Sequence, residues 1–584
     1  MTEETRILDF VNASAALLDL PLPADRAQRV AAHLGRTRAM AAMLDAAPMG
    51  VEDEPVALFC PAPFPAQAEG VAAVEAPATA ATESLQRLAA AAAPAGATTA
   101  GATTAGAATA GGTATAIATS AADDADTLAR LAAVASGELR ARDWLEQCIA
   151  RIEAVDGRVN AFTLRTLDRA RREADAIDAR RAAGETLPPL AGLPYAVKNL
   201  FDIEGEVTVA GSIINRDHAA ASADAILVQR LRDAGAVLVG ALNMDEYAYG
   251  FTTENTHYGP AHNPHDLRRI AGGSSGGSGA AVAAGEVPLT LGSDTNGSIR
   301  VPASLCGVWG LKPTFGRLSR RGTYPFVHSI DHLGPFADSA GLLARVYDTL
   351  QFADVKDPGC HAQAVQSVSP SLEEGVDGLR VGLLDSYFED NATEPARAAV
   401  RIAGKALGVQ AMVEWPDAGL ARVAAFIITA SEGGSLHLDD LRSRADEFEP
   451  LSVDRFIAGA LQPAHWVARA HRFRRLYRER VLALFGKWDI LLAAATPVPA
   501  LPIGTEWLDV NGTTQPARAA MGLLTQPISF AGCPVVAAPV WPEGTQGLPL
   551  GVQIITAPWR EDLALRAARV LEKAGVAGLR PAAL

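Results

Sequence analysis

Residues 272–307 read GGSSGGSGAAVAAGEVPLTLGSDTNGSIRVPASLCG, and this stretch contains two glycine-rich turns that each carry a serine. Ser274 and Ser298 lie 24 positions apart, with a helix of small residues (280–284) and an apolar strand (287–291) predicted between them. Glycine lets a backbone approach a substrate closely, and a serine in such a turn presents its hydroxyl beside free backbone N–H groups. A nucleophile and an oxyanion hole are two parts of an acyl-transfer site.

A flexible loop and a phosphate site are the alternatives to an acyl-transfer site at the glycine-rich turns. GGSSGGSG alone is typical of a flexible loop. A phosphate cradle is disfavoured, because no GK[ST] follows the glycines and the G-x-G-x-x-G spacing is absent. The second turn, GSDTNGSIR, favours a built site, because Asp294 and Arg300 flank Ser298 and form a pair that can clamp a strained turn.

A nucleophilic serine needs a base, and the sequence offers two kinds. The histidines that follow Ser298 most closely are His328 and His332, and a more distant histidine can fold in. The alternative is Lys198, which interrupts the apolar run GLPYAVKNLF. Burial lowers the pKa of a lysine enough for it to act as a neutral base, although a lysine in a strand is more often an edge residue whose charge reaches solvent.

Four motifs together resemble the amidase signature family, and the resemblance runs from about Asp124 to the C-terminus. They are AVKNLFD (196–202), GGSSGGSGAAVAAG (272–285), GSDTNGSIRVPASLCGVWGLKPTFGRLS (292–319) and DHLGP (331–335). The resemblance implies an α/β/α protein with a mixed sheet.

The resemblance also implies a Ser–cis-Ser–Lys triad. Carried over by position, Ser298 is the acylated nucleophile, Ser274 the bridging serine behind a cis peptide bond, and Lys198 the base. The oxyanion hole is then formed by the backbone N–H groups of four consecutive residues: Thr295, Asn296, Gly297 and Ser298. Such an enzyme needs no metal and no organic cofactor.

Substrate contacts are expected around the catalytic block. The family often has glycine where this chain has Asn296, whose amide is either a simple replacement or a contact to a polar substrate. Cationic, aromatic and imidazole side chains that follow the block are further candidates: Arg317, Arg320, Arg321, Tyr324, His328 and His332. His328 and His332 are preferred because they flank Asp331.

Composition indicates a soluble cytoplasmic enzyme. The net charge of −15 argues against nucleic-acid binding, which depends on Lys and Arg. The five cysteines are scattered and odd in number, so no disulfide framework is expected. No signal peptide and no apolar run long enough for a membrane span are visible. His257, His262 and His265 lie in a loop rich in Pro and Asn and are not predicted to bind metal.

The N-terminal region, residues 1–66, is predicted to be a helical pair followed by an extended tail. Pro21 and Pro23 separate the two helices, and the tail is EPVALFCPAPFP (54–65). The predicted apolar faces are Ile7, Leu8, Phe10, Val11, Leu17 and Leu18, and Val30, Leu34, Met40, Met43 and Leu44. Two helices this short cannot bury a sufficient core, so we expect them to dock on a catalytic domain, in the same chain or in a neighbouring one.

Residues 67–123 are predicted to be a flexible linker. From residue 88 to 122 the sequence is dominated by Ala, Gly and Thr, and AGATTAGATTAGAATAGG has no amphipathic period. The roughly 35 residues of this stretch, as a flexible chain, reach roughly 30–35 Å.

The catalytic domain is assigned to residues 124–584. An amphipathic helical pair is predicted over 128–155, and helical stretches then alternate with apolar strands. The predicted strands are 236–240, 378–384, 490–494, 534–539 and 551–556.

The N-terminal helices and tail resemble the small accessory subunits of bacterial 1-carboxybiuret hydrolases, which are similar to the small subunit of tRNA-dependent amidotransferases. This resemblance implies a small anionic, urea-like substrate, 1-carboxybiuret, deaminated to urea-1,3-dicarboxylate and ammonia in cyanuric-acid degradation. It also implies a fusion of accessory and catalytic parts, and we expect a homodimer. The alternatives are an amidotransferase-like unit that delivers ammonia to a partner acting on charged tRNA, another small-molecule amidase, and a non-enzymatic scaffold.

Overall fold

The computed structural model of the chain describes residues 2–47, 49 and 127–584, and these form one compact unit. The predicted tail (54–65) and the predicted linker (67–123) lie outside the described residues.

The N-terminal residues form two helices, α1 (Glu3–Leu17) and α2 (Ala24–Asp45). Thr2 caps α1 by accepting a hydrogen bond from the N–H of Thr5. The buried residues of α2 recur at spacings of three and four, which places them on one face: Ala27, Val30, Leu34, Thr37, Ala41 and Leu44. Three residues predicted on the apolar faces are instead exposed, because they lie one step outside the buried stripes: Phe10, Leu17 and Met43.

The helical pair docks on the larger part of its own chain. The face of α2 packs against three helices of that part, α12 (Ala418–Leu436), α14 (Val453–Ala460) and α15 (Ala464–Leu484). Arg29 Nε donates to Asp454 Oδ2 at 2.6 Å, and Arg469 Nε donates to the carbonyl of Leu44 at 2.9 Å. Apolar packing and charged hydrogen bonds therefore both hold the pair in place.

The remaining helices surround a sheet. In chain order they are α3 (Thr127–Ser136), α4 (Ala141–Val159), α5 (Leu167–Ala182), α6 (Ile226–Asp233), α7 (Gly276–Ala283), α8 (Arg300–Cys306), α9 (Ala340–Leu350), α10 (Tyr387–Asp390), α11 (Glu394–Ala406), α13 (Leu438–Ser443), α16 (Ala517–Ala520), α17 (Gln526–Ala531) and α18 (Glu561–Lys573). No helix in the described part of the chain is long and apolar enough to cross a membrane.

The strands are also numbered in chain order, and most of them are short and buried. They are β1 (Phe162–Arg165), β2 (Pro194–Lys198), β3 (Val237–Leu242), β4 (Glu254–Asn255), β5 (Gly259–Pro260), β6 (His262–Asn263), β7 (Asp266–Ile270), β8 (Leu289–Asp294), β9 (Trp309–Lys312), β10 (His332–Ala337), β11 (Val381–Leu384), β12 (Ala411–Val413), β13 (Ile490–Ala494), β14 (Trp507–Val510), β15 (Thr513–Pro516), β16 (Val535–Val540) and β17 (Leu550–Ile555).

Within the described residues, one eleven-stranded sheet has the order β1-β3-β2-β8-β10-β9-β16-β17-β13-β11-β12. β2 runs parallel to both β3 and β8, whereas β10 runs antiparallel to β8 and β9. Helices pack on this sheet from both the first and the second half of the chain. The mixed α/β architecture predicted from the sequence is confirmed.

Two features of this topology position the site. The parallel pairing of β2 with β8 brings the end of β2, at Lys198, beside the end of β8, at Asp294. The turn after β8 leads directly into α8, and the turn before α7 contains Ser274. Both glycine-rich turns therefore lie at the same end of the central strands.

Candidate active site

Lys198 lies at the end of β2 and is fully buried. Its Nζ donates hydrogen bonds to Ser274 Oγ at 2.7 Å and to Ser293 Oγ at 2.9 Å. Burial lowers the pKa of Lys198 to about 7, against the opposing charges of Asp245, Asp331 and Asp294. The side chain predicted as a base is therefore far more readily neutral near pH 7 than an exposed lysine.

The Ser274 turn packs closely against the backbone that follows β3. The peptide bond between Gly273 and Ser274 is cis. The Ser274 carbonyl accepts from the N–H of Asp245 at 3.2 Å, and a Cβ on Gly273 would lie only 2.1 Å from Asp245 Oδ2. Glycine at 273 is thus required by this close approach, and Arg518 pairs with the same carboxylate at 3.1 Å.

Ser298 stands between β8 and α8 and is 3% exposed. The ion pair predicted to clamp its turn is present: Arg300 Nη2 lies 2.9 Å from Asp294 Oδ1, and both side chains are fully buried. Asp294 Oδ2 also accepts from the N–H of Ile299 at 3.1 Å. Although burial acts to raise the pKa of Asp294, Arg300 holds that pKa well below its usual range.

Each of the three residues before Ser298 is held by a contact with another part of the chain. Thr295 Oγ1 donates to Asp331 Oδ1 at 2.6 Å, and the Asn296 carbonyl accepts from Thr525 Oγ1 at 2.7 Å. Gly297 has φ +143°, and a Cβ there would lie 2.2 Å from Thr525 Oγ1. Only glycine fits position 297, because its φ is positive and a Cβ would clash with the side chain of Thr525.

The backbone N–H groups of residues 295–298 donate to no acceptor in the part of the chain that the structure describes. Buried N–H groups are almost always paired, so four consecutive unpaired donors beside a serine are unusual. They are available to an oxygen atom of a ligand.

Asn296 is held by its side chain as well as by its backbone. Its Nδ2 donates to Thr429 Oγ1 on α12 at 2.9 Å, and its Oδ1 is buried without a partner among the described residues. The side chain at this position therefore connects the turn to a helix that also contacts α2.

A cavity of about 210 Å³ adjoins the turn before Ser298 through Ser293 and Thr295. Four of the predicted substrate residues line it: Arg320, Arg321, Tyr324 and His328. Burial raises the pKa of Tyr324 to about 12, and its ring stacks on that of Tyr247 with centroids 5.4 Å apart. The Nε of Arg321 is paired with Asp354.

His332 and Arg317 lie outside this cavity. His332 Nδ1 is 3.0 Å from the Asp294 carbonyl oxygen, and its ring meets Phe315 edge to face. Burial, followed by the charge of Lys312, lowers the pKa of His332 well below its ordinary value. Arg317 donates to the Ala364 carbonyl at 2.9 Å.

The histidines of the 257–265 loop serve the local structure. His257 Nε2 lies 3.2 Å from Glu246 Oε1, His262 Nδ1 lies 2.6 Å from the Leu267 carbonyl, and His265 Nε2 lies 3.0 Å from the Cys306 carbonyl.

Sequence reasoning missed three residues that shape the site. Ser293 is the second partner of Lys198, and Thr429 and Thr525 hold Asn296. Ser293 lies within the quoted GSDTNGS motif, so its place at the end of β8 is a usable signal. Thr429 and Thr525 lie far along the chain and have no local motif.

A mixed sheet with a lysine and two serine turns meeting at the ends of its central strands is the architecture of an α/β enzyme. A family model described as Amidase matches residues 143–565, and the chain belongs to this family of hydrolases that act on amide C–N bonds. A second model, described as AtzG-like and named for a subunit of 1-carboxybiuret hydrolase, matches residues 10–59. Accessory-like and catalytic sequences are thus joined in one chain.

Curated relatives match the catalytic part. The AtzE subunit of 1-carboxybiuret hydrolase from Pseudomonas sp. (strain ADP) is 68% identical over 447 residues, covering 76% of this chain and 98% of the relative. A subunit of the glutamyl-tRNA(Gln) amidotransferase from Chromohalobacter salexigens is 36% identical, covering 77% of this chain and 96% of the relative.

Solved structures give the same picture. A complex described as vestigial, and as revealing the origins of an s-triazine catabolic enzyme, contains a chain that is 67% identical, with a TM-score of 0.77. The match covers 78% of this chain and 99% of that one. A 6-aminohexanoate cyclic dimer hydrolase is 30% identical with a TM-score of 0.69, covering 79% and 98%.

Proposed function

We propose that this chain hydrolyses the terminal amide of 1-carboxybiuret to urea-1,3-dicarboxylate and ammonia through an acyl-enzyme on Ser298. The observation that carries the chemistry is the buried 2.7 Å contact between Lys198 Nζ and Ser274 Oγ. The substrate is supported by the 68% identity to the AtzE hydrolase subunit.

In the proposed first step, neutral Lys198 takes the proton of Ser274 while Ser274 takes that of Ser298. Ser298 Oγ forms a bond to the amide carbonyl carbon, and the carbonyl oxygen becomes an oxyanion. The lowered pKa of Lys198 supports this role, because a general base works best with a pKa near the working pH.

The N–H groups of Thr295, Asn296, Gly297 and Ser298 are proposed to hold the oxyanion. Removal of a single oxyanion donor typically costs about 2.7–4 kcal/mol of transition-state stabilisation. Collapse of the tetrahedral intermediate breaks the C–N bond, and the proton on Lys198 returns through Ser274 to the leaving nitrogen. Water then attacks the acyl-enzyme by the same proton route, and Ser298 is released.

The carboxylate end of the substrate is proposed to lie in the cavity beside Ser293. Arg320 and Lys356 line this cavity and offer positive charge, and His328 and Tyr324 offer hydrogen-bonding groups. Two carboxylates also line it. Asp331 already accepts from Thr295 and from the N–H groups of Phe326 and Val327, and Asp357 Oδ1 lies 3.6 Å from Arg320 Nη2.

The test is ammonia release by the purified full-length protein from 1-carboxybiuret, compared with biuret, allophanate, glutamine and a simple aliphatic amide. We expect 1-carboxybiuret to be strongly preferred and Ser298→Ala to abolish release, while Ser443→Ala, an exposed control, leaves it unchanged. Unchanged release by Ser298→Ala would contradict the mechanism. Equal rates on simple amides would contradict the substrate, and release from glutamine only with tRNA and a partner would favour the amidotransferase alternative.

A further inference from the structure

A second cavity, of about 390 Å³, lies away from the two serine turns. It shares no lining residue with the 210 Å³ cavity beside Ser293. Its walls come from segments far apart in the chain, including Phe315, His361, Arg478 and Trp559. The proposed hydrolysis uses none of these side chains.

Aromatic rings form much of this cavity. The ring of His361 meets Trp559 with centroids 5.6 Å apart and Phe315 with centroids 6.4 Å apart, both edge to face. Gly316 allows His361 to approach, since a Cβ on Gly316 would lie 2.2 Å from the imidazole. Three aromatic rings therefore line the cavity and offer apolar contact area to a flat molecule.

Arg478 supplies a positive charge that the protein does not neutralise. Its side chain makes no hydrogen bond or ion pair with any described residue. Among the described residues that line the cavity, none is Asp or Glu. A partly buried guanidinium ordinarily has a carboxylate partner, so this one is available to an anion from outside.

The neighbouring charges reinforce the positive potential. Arg474, one turn earlier on α15, is buried, and burial followed by the charge of Arg478 lowers its pKa to about 9. Arg317 stacks on Trp559, with its Cζ 4.8 Å from the ring centroid, and its Nε is buried without a described partner. Glu561 does not line the cavity, although its Oε1 accepts a hydrogen bond from the backbone N–H of Thr314, which does.

We infer that this cavity is a binding site for a small organic anion, whose carboxylate pairs with Arg478 while its planar body lies against Phe315 and Trp559. Arg recognises a carboxylate with two parallel hydrogen bonds, which fixes the orientation of the ligand. A neutral ligand of the same shape gains no such pairing and leaves the guanidinium unsatisfied.

The site also borders the catalytic region. The guanidinium of Arg320 lies over the ring of Phe315, with Arg320 Cζ 5.6 Å from the ring centroid. Arg320 also lines the 210 Å³ cavity. His332, which bonds the carbonyl of Asp294, contacts the same ring. An anion in contact with Phe315 is therefore separated only by that side chain from Arg320 and His332, which adjoin the turn before Ser298.

The experiment is calorimetric titration of the full-length protein with benzoate and with acetophenone, a neutral analogue of similar shape that an amidase cannot hydrolyse. We expect saturable binding of benzoate, no binding of acetophenone, and a loss of affinity of at least about tenfold in Arg478→Gln. Arg472→Gln, an exposed arginine of the same helix, is the matched control and should bind as the native protein does. If Arg478→Gln fails to fold, Trp559→Leu tests the same site and should also weaken benzoate binding.

Three results would overturn the inference: no saturable benzoate binding, equal affinity in Arg478→Gln, or a loss of affinity in Arg320→Gln alone, which would place benzoate in the other cavity. The titration measures binding and not turnover, and it can be repeated with Ser298→Ala. Its failure is therefore distinguishable from failure of the proposed hydrolysis.

Discussion

The side-chain amide of Asn296 donates a 2.9 Å hydrogen bond to Thr429 Oγ1, and this bond joins the turn before Ser298 to the middle of α12. Both residues are buried, with Asn296 6% and Thr429 3% exposed. The bond can orient the N–H groups of residues 295–298 without touching the substrate through Thr429. Thr429 is therefore a positioning residue in the proposed mechanism.

Replacing Thr429 by Val keeps the shape of the side chain and removes the oxygen that Asn296 contacts. We expect kcat to fall by about tenfold, less than the roughly 10²–10³-fold loss that follows removal of an oxyanion donor itself, with KM nearly unchanged. Thr429→Ser should restore kcat, and Thr513→Val, an exposed control, should have no effect. An equal loss in the Ser and Val variants would mean that Thr429 acts through packing alone.

The pH dependence of kcat/KM should report Lys198. Its lowered pKa of about 7 means that the base is protonated and inactive below this pH and neutral above it. We therefore expect kcat/KM to rise about tenfold per pH unit below pH 7 and to level off above it. A rate that is flat from pH 5 to 9 would contradict a lysine base.

Lys312 is buried as well, and its pKa is also lowered to about 7. A rise of kcat/KM near pH 7 must therefore be assigned to one of the two lysines. Ser293→Ala distinguishes the two lysines, because Ser293 contacts Lys198 Nζ, whereas Lys312 Nζ donates to the carbonyls of Pro313 and Cys533. Removing an acceptor from the ammonium form lowers the pKa, so the plateau should begin at a lower pH. An unshifted profile would assign the titration to another group.

Glu286 is expected to reduce stability at neutral pH. It is fully buried, neither carboxylate oxygen has a described partner, and burial followed by the charge of Asp156 raises its pKa well above the ordinary value, against Arg151 and Arg165. As the pH rises above about 4, the unfolded chain ionises this group while the folded chain keeps it protonated, so the free energy of unfolding falls.

Glu286→Gln removes this penalty. Its Tm should exceed that of the native protein at pH 7 and match it below about pH 4, where both forms are neutral in both states. Glu153→Gln, an exposed control on the nearby helix α4, should change neither value. The measurement is calorimetric Tm across pH, and a gain that persists at pH 4 would point to packing and not to ionisation.

The sequence predicts some of this site well and some of it poorly, for physical reasons. Lys198, Ser274 and Ser298 all lie in local motifs. In the two serine motifs, glycine is required by the close approach of other groups, as at Gly273 and Gly297. The contact between Lys198 and Ser293 depends on the parallel pairing of β2 with β8, which no short stretch of sequence records.

The N-terminal helices illustrate the same limit. Their existence follows from apolar spacing and from the two prolines, but the buried face depends on the partner surface. Leu17 is 85% exposed, whereas Leu20, beyond the end of α1, is buried. Which apolar side chains are covered is decided by α12, α14 and α15, so the helical pair alone cannot specify it.

Docking of the N-terminal helices should depend on the charge of Asp454. Its carboxylate is 10% exposed and accepts a hydrogen bond from Arg29 Nε at 2.6 Å, while Arg26 Nε lies 3.6 Å from its Oδ1 as an ion pair. Replacing both arginines by Ala leaves this carboxylate without these partners, which costs about 1–3 kcal/mol. Because the cost falls on the docked state, the helices should open locally more often than the rest of the protein. We expect faster chymotryptic cleavage within residues 1–47 while the catalytic part stays intact. Arg6→Ala, an exposed arginine of α1, is the control, and equal cleavage rates in the two variants would show that apolar packing of α2 alone holds the helices.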